Sequence, residues 1–149
     1  MRVAEIPFAE LYPQMEPLLP LHWDEIALNK HLMVLKPQLE VYEANAANGR
    51  LLCIGAWNSE GALVGYSLTM VLPHPHYADL IVAQNDLLFL LPEHRKTGQG
   101  GALIVLTEHL AAVRGARLML WHAKKGTDLD IALSRAGYPV QDIIYSKEL

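Results

Sequence analysis

The chain has one cysteine, Cys53, among its 149 residues, which excludes an intrachain disulfide framework. That cysteine lies in the apolar run Leu51–Trp57 and reads as a buried, inert thiol rather than a nucleophile. A basic footprint is missing as well. Twelve Lys and Arg stand against 16 Asp and Glu, a net charge of -4, which argues against a dedicated nucleic-acid binder. No apolar run approaches the ~20 residues of a membrane span. Met1-Arg2-Val3-Ala4-Glu5 has no basic region leading into a long apolar core, so no signal peptide is expected. Internal repeats, low-complexity linkers and domain boundaries are absent too. The composition is 52% hydrophobic, too apolar for disorder, and the length fits one domain with a real core. A soluble chain of the cytoplasm is the expectation.

What is present falls into two halves. Arg2–Ile6 suits a short strand ended by Pro7. Phe8, Leu11, Tyr12 and Met15 recur at helical spacing but are interrupted by Pro13 and Pro17, which predicts an irregular or broken helix. Residues 22–30 suit a second helix, with Trp23, Ile26, Ala27 and Lys30 spaced along it. A third restarts at Pro37, carries Leu39, Tyr42 and Ala46 on one side, and stops at Gly49. From Leu51 the period changes. Leu51–Trp57, the turn Asn58-Ser59-Glu60-Gly61 and Leu63–Leu72 read as a hairpin. Pro73-His74-Pro75-His76-Tyr77 must be a loop, and Ile81–Leu91 a further strand. Leu103, Leu106, Leu110 and Val113 mark the buried face of a helix ended near Gly115. A short buried strand, Leu118–Trp121, precedes a last helix capped by Thr127 or Asp128, with Leu129, Ala132, Leu133 and Ala136 in one stripe before Gly137. Asp142–Lys147 reads as a final strand. This order predicts an α/β mixed sheet with helices on its faces.

The chemistry concentrates between Gln84 and Leu103. An apolar strand is stopped by Pro92, and a short polar turn leads through Gly98, Gly100 and Gly101 into a helix. Such a turn leaves several backbone N–H groups aimed at one spot, where the helix dipole also favours negative charge, and Arg95 and Lys96 add cations suited to the same anion. A phosphate cradle is one reading and a plain glycine turn the other. No Lys-Ser or Lys-Thr follows the glycines, so a Walker-type loop fits badly, and the third glycine of a dinucleotide fingerprint is missing.

Pro92-Glu93-His94-Arg95-Lys96-Thr97-Gly98-Gln99-Gly100 resembles the P-x-x-R-x-x-G-x-G signature by which the GCN5-related N-acetyltransferases (GNAT family) grip the pyrophosphate of coenzyme A. The resemblance covers most of the chain from Leu51 onward. Gly65-Tyr66 looks like the family's second hairpin strand, and Leu133–Tyr138 through Tyr145-Ser146-Lys147 looks like its last helix, Gly-aromatic turn and last strand. More narrowly, His22–Leu28 with Pro73–Tyr77 is similar to a group encoded by bacteriophages and prophages. The resemblance implies the GNAT acyl-CoA N-acyltransferase fold, a central mixed, mostly antiparallel sheet flanked by helices. It implies acetyl-CoA as cofactor, held by the backbones of Phe89, Leu90 and Leu91 and by Arg95, Lys96, Thr97, Gly98, Gln99, Gly100 and Gly101. It also implies an amine acceptor, on a small molecule or a protein, and a fold in which homodimers are common.

Acetyl transfer needs a polarised thioester, a neutral amine and a tolerated thiolate. Asp86 stands where several family members place a base or a water-orienting acid. Its plain alternative is that Asn85 and Asp86 hydrogen-bond a strand bulge. His76 is a second candidate base by its ordinary pKa, or simply a solvated loop histidine. His74 and His76 alone make an incomplete metal ligand set. Many relatives carry an acid tyrosine on the last helix, where this chain has Leu133, a residue its apolar stripe explains. That departure keeps open a catalytically inactive member of the fold that binds coenzyme A or a protein partner. Substrate recognition would fall to His22, Trp23, Asp24, Glu25, His74 and Tyr77, with Trp23 equally readable as core and the two acids as helix-dipole partners. If those acids reach the site they would suit a cationic amine.

Overall fold

In the computed structural model, which describes residues 1–149, one five-stranded sheet organises the chain. Its strands are β1 (Arg2–Glu5), β2 (Leu51–Trp57), β3 (Leu63–Pro73), β4 (Ile81–Leu90) and β5 (Leu118–Leu120), in that spatial order. The first three pairings are antiparallel and β4–β5 is parallel. The helices are α1 (Phe8–Met15), α2 (Leu19–Ile26), α3 (Leu39–Ala47), α4 (Gln99–Val113) and α5 (Asp128–Arg135). No helix is long and apolar enough to cross a membrane.

The sheet has an apolar cluster on each face. On one side Phe8, Leu11 and Met15 of α1 and Leu19 of α2 pack on Cys53, Tyr66, Leu68 and Phe89, with Leu39, Tyr42 and Ala46 of α3 alongside. On the other, Leu103 and Ala111 of α4 pack on Leu52, Ile54, Val64, Ala83 and Leu90. Of the two prolines expected to interrupt the N-terminal helix, only Pro17 coincides with a break. Pro13 is tolerated inside α1, but Pro17 falls in a 3-10 turn, Glu16–Leu18, that re-aims the chain into α2. Cys53 is buried, and burial pushes its thiol up to about 12, which makes it inert at neutral pH.

Several sequence expectations change. The second helix stops at Ile26, where Ala27 turns extended, and residues 27–38 form an irregular strap instead of helix. Val113 is 70% exposed, because the buried stripe of α4 runs through Leu103, Thr107 and Ala111 with Leu106 and Leu110 at its flank. On α5 Leu133 is buried, whereas Ala132 and Ala136 are exposed. β5 ends at Leu120 and is only half-buried, because no strand pairs with its outer edge. The strand expected over Asp142–Lys147 does not form. Its apolar residues lack a partner to hydrogen-bond, and an isolated strand is not stable in water.

Candidate active site

The glycine turn joins β4 to α4. Gly98 takes a left-handed conformation, φ 85°, which only glycine adopts without strain, and caps α4. Ala102 N–H donates the first backbone bond of the helix, to the Gly98 carbonyl at 3.0 Å, so the N–H groups of Gln99, Gly100 and Gly101 have no backbone partner. The space over them is open: a Cβ added at Gly98 or Gly101 would meet nothing within 4 Å. Internal packing therefore does not explain the glycine at Gly101, and the open dipole end fits a phosphate group.

The turn's side chains divide sharply. The Gln99 side chain is buried and donates from Nε2 to the Trp57 carbonyl at 3.2 Å, leaving only its backbone free for a ligand. The Thr97 hydroxyl donates to the His94 carbonyl at 2.6 Å. Arg95 is tied inward. Its Nε donates to the Leu90 carbonyl at 2.9 Å, and its two terminal nitrogens pair with Glu25 of α2 and Asp128 of α5. Lys96 is exposed and makes no ion pair, so it is the turn's available cation.

Beside the turn, β4 offers an open edge. β4 and β5 pair only over Val82–Gln84 and Leu118–Leu120. Asn85 then bridges the gap: its Nδ2 donates to the His122 carbonyl at 3.1 Å and its Oδ1 accepts the His122 N–H. Beyond that bridge the only strand that pairs with β4 is β3. Leu91 N–H donates to the Val64 carbonyl, and by strand alternation Phe89 also faces β3. The groups left on the open edge are the Leu88 N–H and C=O and the Leu90 N–H, because the Leu90 carbonyl already accepts from Arg95 Nε. Leu88 was not singled out by the sequence, and the expected contributions of Phe89 and Leu91 are turned the other way.

The open edge ends at a bulge. Thr69 pairs with Asn85 and Leu68 with Leu87, which leaves Asp86 as the extra residue. The bulge forms, but the Asn85 and Asp86 side chains do not bond across it: Asn85 holds His122, and Asp86 faces α3, where Tyr42 Oη donates to Asp86 Oδ2 at 2.6 Å. Burial and that hydrogen bond both raise the Tyr42 pKa, so the phenol keeps its proton and acts as a fixed donor. Sequence reasoning placed Tyr42 only on an apolar stripe. The usable signal was its hydroxyl, since a half-buried tyrosine needs a polar partner.

A cavity of about 300 Å³ lies on the same sheet face, walled by α1, α2 and the 27–38 strap, with Tyr42, Leu68 and Leu87 among its lining. His22 and Trp23 line it too. His22 is buried between Tyr66, whose hydroxyl lies 2.9 Å from Nδ1, and the Phe89 ring, stacked with centroids 4.9 Å apart. Burial lowers its pKa to about 4, against the pull of Glu25, so the ring is neutral at pH 7. Trp23 latches the strap to α2 by donating from Nε1 to the Met33 carbonyl. Other candidates lie elsewhere. Asp24 is exposed and paired with Lys30 at 2.7 Å, and Glu25 serves Arg95. His74, His76 and Tyr77 cluster with tilted and edge-on rings in the β3–β4 loop and do not line the cavity. Five residues of strand, roughly 16 Å, separate Ile81 at that end of β4 from Asp86. No group of three metal-ligating side chains forms there or anywhere in the chain.

Five strands, mostly antiparallel, with helices on both faces and a glycine turn feeding α4 define the GNAT acetyltransferase fold. Among solved structures, the chain is similar to an aminoglycoside acetyltransferase from an uncultured soil metagenomic sample, with TM-score 0.74, 20% identity, and 99% of this chain and 97% of that one covered. It is similar also to the ribosomal-protein-alanine N-acetyltransferase of Brucella melitensis (0.68, 20%, 100% and 98%) and to an aminoglycoside 6'-N-acetyltransferase of Acinetobacter haemolyticus (0.65, 16%, 100% and 99%). No family model and no curated protein matches the sequence.

Proposed function

We propose that the protein is a GNAT-family N-acetyltransferase that moves an acetyl group from acetyl-coenzyme A to an amine. The observation that carries this reading is the continuity of three features along β4: free N–H groups at the start of α4, the open edge with the Leu88 backbone and the Leu90 N–H, and the Asp86–Tyr42 pair at the bulge. The N–H groups of Gln99, Gly100 and Gly101, with Lys96, would hold the pyrophosphate. The Leu88 N–H and C=O and the Leu90 N–H would bond the amide arm as a further strand would, the Leu90 carbonyl being held by Arg95. When bound, acetyl-coenzyme A supplies a thioester whose carbon–sulfur bond breaks as the amine forms the new carbon–nitrogen bond, one amine proton being replaced and one proton ending on sulfur.

The chain's own part is positioning and proton handling. Asp86 accepts the amine's proton, and Tyr42 fixes the carboxylate that receives it. Tyr42 holds its own proton too firmly to protonate sulfur. A thiol of pKa near 8.5 leaves readily without a dedicated acid, so a leucine at position 133 is compatible with turnover. The Leu133 side chain is buried in any case. We further propose action in the cytoplasm, where a single free thiol stays reduced; the similarity to phage-encoded proteins rests on His22–Leu28 and Pro73–Tyr77 alone.

Release of free thiol from acetyl-coenzyme A in a screen of amine acceptors tests the reading. Amine-dependent release, lost in Asp86→Asn, is expected. Saturable binding of acetyl-coenzyme A with no acceptor-dependent release would favour an inactive binder of the same fold.

We infer a homodimer from the C-terminal end. Val140, Ile143, Ile144 and Tyr145 are 71–90% exposed, and β5 has an unpaired outer edge bordered by a groove that Ala111, Ala112, Leu118 and Met119 help line. Residues 140–145 of a second copy would complete that edge. Light scattering should give a dimer that becomes a monomer when the chain is cut after Pro139; a monomeric full-length chain overturns it.

A further inference from the structure

The cavity beside Asp86 contains no acid. Thirteen of its 17 lining residues are hydrophobic, and its only charged residues are Lys36, from the 27–38 strap, and Lys124, from the loop after β5. Neither lysine has an ion-pair partner. The two acids nearest in sequence, Asp24 and Glu25, are held by Lys30 and Arg95 outside it. A polycationic sugar would meet apolar walls and two like charges here. At about 300 Å³ the cavity is at the small end for ligand sites, which suits a small molecule over a folded protein surface.

We propose that the acceptor is a small amine with a bulky apolar body and a carboxylate, in the simplest case a free hydrophobic α-amino acid. This rests on the acetyltransferase reading for the amine's fate, and on the cavity alone for the rest. The apolar body fills the space between α1, α2 and the strap, where His22 is neutral and Tyr42 and Leu87 form the floor toward Asp86. The amine points to Asp86, the carboxylate bonded to the lining residue Tyr42. The carboxylate meets Lys124 and Lys36, whose charges have no other partner. A long acyl chain on the donor would fill the apolar space but leave both lysines unpaired, so the charge pattern favours the acceptor. Trp23 determines specificity indirectly: by holding Met33 it sets the strap's height over the cavity.

Calorimetric titration without cofactor, using L-phenylalanine and phenethylamine as probes, separates this proposal from the acetyltransferase reading. The two share amine and ring and differ in the carboxylate. L-Phenylalanine should bind at least tenfold more tightly than phenethylamine, and the difference should collapse in Lys36→Met/Lys124→Met, exposed changes that leave the fold intact. Equal binding of the two probes, tighter binding of phenethylamine, or a preference for kanamycin would overturn the proposal, as would displacement of L-phenylalanine by octanoyl- but not acetyl-coenzyme A. If L-phenylalanine binds as expected but releases no thiol from acetyl-coenzyme A, the cavity assignment stands and the transferase reading fails. Thiol release with other amines, and no L-phenylalanine binding, gives the reverse.

Discussion

Tyr42 and Asp86, 44 residues apart in sequence, meet across 2.6 Å where the extra residue of the β4 bulge faces α3. The bulge lifts the carboxylate out of the ladder, and the phenol fixes its direction. Asp86→Asn should lower kcat by about 10²- to 10⁴-fold, the range of a positioned general base. Tyr42→Phe should cost less in rate and leave the KM for acetyl-coenzyme A unchanged. Steady-state kinetics with both substrates varied checks this, and a full-rate Asp86→Asn enzyme would remove Asp86 from the chemistry. Because His76 lies at the far end of β4, His76→Ala should leave kcat unaltered.

Gly101 is the position where binding and stability should move in opposite directions. A methyl there meets no protein atom and replaces a glycine inside the first turn of a helix, so Gly101→Ala should hold or raise stability by up to about 1 kcal/mol. The same methyl stands where a phosphate would approach the N–H groups. Thermal melts should show Tm unchanged or higher, while acetyl-coenzyme A titration shows affinity at least tenfold weaker. Equal affinity would detach the ligand from this turn.

The framework of this site was legible in the sequence because its signals are local. The strands of β2 to β4, the left-handed Gly98 and the start of α4 follow from apolar runs and turn chemistry within short windows. The partners of individual side chains were not. Arg95 looks like a free phosphate ligand until α2 and α5 bring Glu25 and Asp128 to it from 70 and 33 residues away. Tyr42 looks like core until the bulge supplies its acceptor. The tail at Asp142–Lys147 carries the strand-favouring run Ile143-Ile144-Tyr145, yet a strand exists only where another edge accepts it. His22 read as a substrate contact in a helix; its burial against Phe89 belongs to tertiary packing.

His22 gives a pH signature. Its pKa falls from 6.5 when unfolded to about 4 in the fold, so between those values the unfolded chain binds the extra proton. The neutral ring's contribution to stability is complete above pH 6.5, declines as pH drops and is lost near pH 4, a span of about 3 kcal/mol at most. Urea denaturation of wild type and His22→Phe at several pH values should give curves that converge toward acid pH as the histidine's share disappears. A constant difference between them would show that His22 does not titrate in this window.

Asn85 holds β4 and the chain beyond β5 together where their ladder stops. Asn85→Ala removes two hydrogen bonds to the His122 backbone, at a cost of about 1 to 3 kcal/mol. Chemical denaturation should show that loss, and hydrogen exchange should show faster opening at His122. Unchanged exchange there would mean the bridge is redundant.

The central claim is that the start of α4 and the open edge of β4 form one coenzyme A site. Isothermal titration of the wild-type chain with acetyl-coenzyme A tests it most directly. Saturable binding at one site per chain is expected, weakened at least tenfold by Gly101→Ala and little changed by His76→Ala. No heat and no thermal stabilisation at saturating acetyl-coenzyme A would contradict it.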